Sequence, residues 1–144
     1  MLGQTGAGSI AHSLNRGATY RIDPQRRLIV ITYVGAISFD DIRRIQTLAK
    51  QDRAFDPLFS VLLDGSHADL SAITDDDLMS IAMNTPMDLT ARRAFVVNSA
   101  VNRGMAQQFY SLSELRGRSF PFALFDNLEA AIRWIATPAS AAAD

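Results

Sequence analysis

The stretch FSVLLDGSHADLS, residues 59–71, decides the fold. It opens as an apolar run without polar alternation and ends in small and polar residues. A run of that kind reads as a strand covered on both faces, as in a parallel sheet. The strand is expected over PLFSVLLD (57–64), with Val61 and Leu63 on one face and Leu62 on the other. Asp64-Gly65-Ser66 then stands where the strand leaves the sheet. It is either a working site at the sheet's mouth or only the passage of a buried strand into water.

On the N-terminal side, ATYRI, DPQRR and LIVITYVG read as strand, turn and strand, because Pro24 suits the second position of a turn begun by Asp23 and both flanks are rich in β-formers. The pair is an antiparallel hairpin. In SFDDIRRIQTLAKQ, Ser38 is an N-cap with Asp41 three residues on, and Ile42, Ile45, Leu48 and Ala49 share one helical face. On the C-terminal side, TDDDLMSIAMN begins a helix capped by Thr74. Its carboxylates Asp75, Asp76 and Asp77 oppose the helix dipole and need no catalytic role.

RAFVVN is a further buried strand. A helix follows from about Ala100 to Leu115, with Val101, Met105, Phe109, Leu112 and Leu115 turned inward. FPFALF is the last strand, and DNLEAAIRWIA the closing helix, capped by Asp126 or Asn127. Strands alternating with helices after an opening hairpin define an α/β protein. The expected sheet is five-stranded and mostly parallel, with an antiparallel N-terminal edge strand and four helices.

The chain has 144 residues, enough for one domain with a single core. That domain is expected over 18–137, between a flexible N-terminal segment (1–17) and a flexible tail (138–144). With 14 Lys and Arg against 15 Asp and Glu, no basic footprint for nucleic acid is present. Cysteine is absent, which excludes disulfides, thiolate metal sites and a cysteine nucleophile. No apolar run approaches the ~20 residues of a membrane span. The N-terminus does not read as a signal peptide, so a cytoplasmic location is expected.

VLLDGSHADLS, RAFVVNSAVNRGMAQQFYSLSE and FALFDNLEAAIRWI together resemble the SpoIIAA-like domains. That group holds the bacterial anti-sigma-factor antagonists (STAS domains) and shares its fold with Sec14-type lipid-binding domains. The resemblance covers the layout of roughly 18–137. It implies a non-enzymatic regulatory or binding domain that acts through protein partners or a small ligand. The alternative it implies is a carrier of small molecules or lipids with an apolar cavity. STAS phosphoacceptors sit in an Asp-Ser-Ser/Thr-Gly-like loop that leads straight into a helix, whereas here HADLSAI intervenes. The uncharacterised branch, lacking that motif, is the closer match.

In an open α/β sheet, ligands and partners meet the carboxyl ends of the strands. The candidate rim is therefore Asp64, Gly65, Ser66 and His67, then Asn98, Ser99 and Arg103, then Asp126 and Asn127. Ser66 has phosphoacceptor chemistry, but we read it as a loop serine beside a glycine that permits an unusual backbone angle. Asp64, His67 and Asp69 have ligand chemistry for a divalent metal, but the set lacks a second shell, and no metal is assigned. His67 is expected to be exposed, and His12 falls in the loose N-terminal segment. A Ser-His-Asp hydrolase is rejected, because adjacent Ser66 and His67 do not face each other. Asn98, Ser99 and Arg103 begin a helix and form a small anion place or, more simply, a capped helix start. Gly104 serves close packing or a ligand's approach.

Without a P-loop or Gly-x-Gly-x-x-Gly spacing, no cofactor is expected. Phe120, Phe122, Phe125 and Trp134 would serve an apolar pocket or the core. A homodimer is expected, with Tyr20, Tyr33, Phe39 and Tyr110 as candidate anchors.

Overall fold

The computed structural model describes residues 17–137. Most of the two segments expected to be loose, and His12 with them, lie outside the described residues. Strands β1 (Gly17–Asp23) and β2 (Leu28–Ala36) pair antiparallel, with Asp23 opposite Leu28. The turn between them is pinned by Asp23, whose Oδ1 accepts from the Arg26 N–H at 3.2 Å. It closes through Arg27, which takes a left-handed φ of 53°.

Helix α1 (Phe39–Gln51) starts at a complete capping box. Ser38 accepts from the Asp41 N–H, and the Asp41 carboxylate accepts from the Ser38 N–H. Thr74 and Asp77 repeat that device at α2 (Asp75–Asn84). The remaining elements are β3 (Ser60–Asp69), β4 (Arg93–Val96), α3 (Ala100–Leu115), β5 (Phe122–Phe125) and α4 (Leu128–Ala136).

The sheet order is β1-β2-β3-β4-β5, antiparallel only between β1 and β2. From β2 onward the chain advances one strand at a time in one direction. Crossovers of one hand then deliver every connecting helix to the same face. Accordingly Ile42 and Ile45 of α1, Leu78 and Ile81 of α2, and Phe109 of α3 all pack on the face carrying Ile29, Ile31, Val61 and Phe95. Three helices already lie on that face, and α4 packs across the other. There Ala131 meets Leu28, Leu62, Ala94 and Val96. Val61 and Leu63 thus point to one face and Leu62 to the other, as the opening stretch predicts.

Several expectations are corrected. Leu48, Val101 and Leu115, expected to face inward, are 45%, 57% and 80% exposed. The 16 residues of α3 span ~24 Å at ~1.5 Å per residue, whereas four-residue β4 and β5 span only ~13 Å. The first and last turns of α3 therefore outrun the sheet, and Val101 and Leu115 lie in them. On α1 the buried stripe narrows to Ile42, Ile45 and Ala49, because the helix lies over the edge strand β1.

The four aromatics offered as dimer anchors pack within one chain. Tyr33 is buried, Tyr20 and Phe39 lie against the core, and Tyr110 stacks on Phe122 with centroids 4.8 Å apart. The aromatics around the last strand do not make one pocket either. Phe120 and Phe122 join the core under the three helices, while Phe125 pairs with Trp134 on the opposite face.

Candidate functional site

The largest correction falls on the opening stretch. Gly65, Ser66, His67, Ala68 and Asp69 are not a loop but the continuation of β3, which pairs with β2 as far as Ala36 opposite Asp69. Between Thr32 opposite Asp64 and Val34 opposite His67 the ladder takes in one extra residue of β3, a β-bulge. Asp64 closes the bulge on itself. Its Oδ1 accepts from the Ser66 N–H at 3.1 Å and from the Ser66 hydroxyl at 2.7 Å.

Gly65 is favoured there by tight space and not by an unusual backbone angle. A Cβ at this position would sit 3.2 Å from the Val96 carbonyl oxygen of the neighbouring strand. Ser66 is further held by Asn98, whose side-chain amide donates to the Ser66 carbonyl. Hence Asp64, Ser66 and Asn98 form one connected rim, with Gly65 buried beneath it and His67 exposed beside it.

The other rim residues serve the starts of two helices. Ser99 is the N-cap of α3 and accepts from the Asn102 N–H. The N-cap of α4 is Asn127, not Asp126; its Oδ1 accepts from the Ala130 N–H at 2.8 Å. Asp126 is exposed, and Arg103 is half-buried in the first turn of α3. Gly104 is not needed for close packing, since a Cβ there would meet open space. Among the described residues no His, Asp or Glu group is arranged to hold a metal ion.

One residue missed in the sequence joins the end of β3, beside the rim, to α3. Asn102, 2% exposed, accepts from the Leu70 N–H at 3.1 Å through Oδ1 and donates to the Ala68 carbonyl at 2.8 Å through Nδ2. Its signal is positional: Asn102 shares the helical spacing of buried Ala106, Phe109 and Ser113.

A second arrangement lies deeper. Helix α2 packs on α3, whereas α1 sits over β1, so α1 and α2 part above the middle of the sheet. Beneath them is a cavity of about 100 Å³. Its walls are mostly apolar, from Ile31 and Val61 on the sheet to Leu78, Met105 and Phe109 on the helices. Gln46 and Ile81 line both this cavity and the surface groove between α1 and α2, which marks where the cavity would open. Tyr33 also lines it, and burial pushes its phenol well above the ordinary tyrosine value, so it stays protonated.

At the amino end of β4, Arg93 lines the same cavity while being only 4% exposed. Its guanidinium lies 3.9 Å from the Phe120 ring centroid. Arg93 was legible only as the first residue of a strand. The available signal was a charge placed two residues before Phe95, hence on the same face of β4.

The comparisons with known proteins bear on the fold alone. No protein-family model matches the chain, and no curated protein matches it. Among solved structures, it is similar to the crystal structure of an uncharacterised DUF3478-family protein with a SpoIIAA-like fold from Shewanella loihica PV-4. The two align with a TM-score of 0.56 at 15% identity, over 90% of this chain and 99% of that one. The chain therefore has the SpoIIAA-like α/β fold that the sequence resemblance implies. No helix among the described residues is long and apolar enough to cross a membrane.

Proposed function

We propose that the protein is a non-enzymatic binding domain that takes up a small, largely apolar molecule between its sheet and helices α1, α2 and α3. The observation that carries this reading is the apolar cavity of about 100 Å³ on the three-helix face. Close-packed interiors hold few voids larger than a water molecule, so a space of this size with mostly apolar walls is suited to an apolar occupant. It is smaller than the ~150 Å³ of an engineered apolar cavity that binds benzene. It is also well short of the ~300 Å³ at which drug-sized sites begin. Size thus favours a molecule of a few heavy atoms over the lipid of a Sec14-like carrier. A regulatory role is compatible with this, because α3 lines the cavity and also carries Asn102, which holds the end of β3 beside the rim of Asp64, Ser66 and Asn98.

The test uses neutral apolar probes. Butan-1-ol, hexan-1-ol and benzene should raise the melting temperature of the protein in a concentration-dependent way. Ala106→Leu, which pushes three carbons into the cavity from a buried position on α3, should abolish that rise. Failure of every probe to shift the unsubstituted protein would refute the reading.

The expected cytoplasmic homodimer belongs to the same proposal. Its support is the second sheet face, where α4 covers chiefly β3, β4 and β5. Val30, Thr32 and Val34 of β2 remain only half-buried on that side, beside exposed Thr19 and Arg21.

A further inference from the structure

The geometry points to a carboxylate on that ligand: we infer that the cavity receives a small apolar carboxylic acid, ionised, whose two oxygens are gripped by Nε and Nη2 of Arg93. The inference rests on the cavity reading above and adds the ligand's chemical class. Nε and Nη2 of Arg93 are both buried, and neither has a hydrogen-bond partner. They are the two nitrogens along one edge of the guanidinium, the edge whose parallel N–H groups match the two oxygens of a carboxylate. Among the described residues, none of the ion pairs includes Arg93.

The nearby charged groups do not answer it. Arg118 repels it and donates its own Nε–H to the Ala82 carbonyl. Asp88 attracts it from a half-buried position without a hydrogen bond or ion pair to it, and its Oδ1 accepts from the N–H and hydroxyl of Thr90. Burial, and then Arg118, pull the Arg93 guanidinium down to about 10, which still leaves it cationic at neutral pH. The Phe120 ring supports the face of the guanidinium but offers nothing to its edge.

An enclosed cation with an unmatched edge is a configuration that proteins avoid, because burying an unpaired charge is strongly unfavourable. Here Arg93 lines an otherwise apolar space, so the ligand that would complete the site is an anion at one end and hydrocarbon at the other. The cavity's size limits that hydrocarbon to a few carbons, and the planar donor edge selects a carboxylate.

The experiment compares matched pairs of probes, butanoate with butan-1-ol and hexanoate with hexan-1-ol, by calorimetry on the purified protein. The carboxylates should bind about tenfold or more tighter than their alcohols, the scale set by hydrogen bonds to a charged group. Arg93→Met fills the same space without the charge and should lose the preference while still taking the alcohols. The Nε–H resonance of Arg93 in the unsubstituted protein provides a measurement that needs no variant. It should shift with hexanoate and stay in place with hexan-1-ol. Equal affinity for acid and alcohol would overturn the carboxylate inference and leave the cavity reading standing, as would a preference that survives in Arg93→Met. Failure of all four probes to bind would overturn both.

Discussion

Leu62→Ala should cost about 3–4 kcal/mol, more than truncation of its neighbour Leu63. Leu62 is fully buried on the face covered by α4. Its strand partners are Val30 on one side and Ala94 on the other, and it shares its cluster with Ala131 of α4. Leu→Ala changes in cores cost ~2–5 kcal/mol, the larger values arising where the surroundings cannot close over the space left behind. Ala94 and Ala131 have no side-chain rotamers with which to reach into it, and both are fully buried. The cost therefore belongs in the upper half of that range.

Leu63, the next residue, provides the internal control. It is half-buried on the opposite face and already borders the cavity, so Leu63→Ala widens an existing space and should cost only about 1–2 kcal/mol. Urea unfolding with unchanged m-values would read the difference directly. If Leu63→Ala proved as costly as Leu62→Ala, or Leu62→Ala cost less than about 1 kcal/mol, the assignment of faces and the role of α4 would both fail. Leu62→Asp sharpens the same test. An unpaired buried carboxylate costs several kcal/mol against a total stability of ~5–15 kcal/mol, so that variant should be unfolded.

Asn102→Ala strands the Leu70 N–H and the Ala68 carbonyl and should cost about 2–4 kcal/mol in the same unfolding assay. The Tyr20 phenol is pushed up to about 12 by burial, and then by its hydrogen bond to and the charge of Asp52. The phenol's raised value favours the folded state below the ordinary tyrosine value of 10, and that contribution is lost as pH rises from 10 to 12. Relief of the Arg93 penalty runs the opposite way above pH 10, so the difference between the protein and Tyr20→Phe, not the bare curve, should carry the loss. Ser66→Ala removes one hydroxyl from a bulge that the Ser66 N–H still closes, so unfolding should show a cost of about 1 kcal/mol or less, and partner binding should persist. Stoichiometric phosphorylation of Ser66 in cells, with binding lost in Ser66→Ala, would contradict this. Light scattering across a dilution series should give twice the 15.8 kDa chain mass; a persistent monomer would remove the dimer.

Features set by close neighbours along the chain were legible in the residues themselves. The Asp23-Pro24 turn and the Ser38 and Thr74 caps each depend on residues three or four apart, and all formed as read. The continuation of β3 was illegible for the opposite reason. Gly65, Ser66 and Asp69 are poor strand formers, and they extend the strand because the far half of β2 presents an unpaired backbone edge to them. That edge lies some thirty residues away in the chain. The candidate rim was half legible: Asp64, Ser66 and Asn98 meet as the strand-end rule suggests, but through a bulge that no local pattern announces.

Arg93 shows where periodicity stops informing. The same period of two that parts Leu62 from Val61 places Arg93 with Phe95, and the register confirms it by setting Arg93 between Val61 and Phe122. A reading of RAFVV could therefore have turned the arginine inward. It could not have left the guanidinium edge without a partner. That condition is met only when α2 and α3 close over the strand, Phe120 occupies one face of the guanidinium, and Asp88 is drawn to Thr90 instead. Sequence pattern locates a buried charge, whereas the three-dimensional surroundings decide whether it is neutralised from within the chain or from outside it.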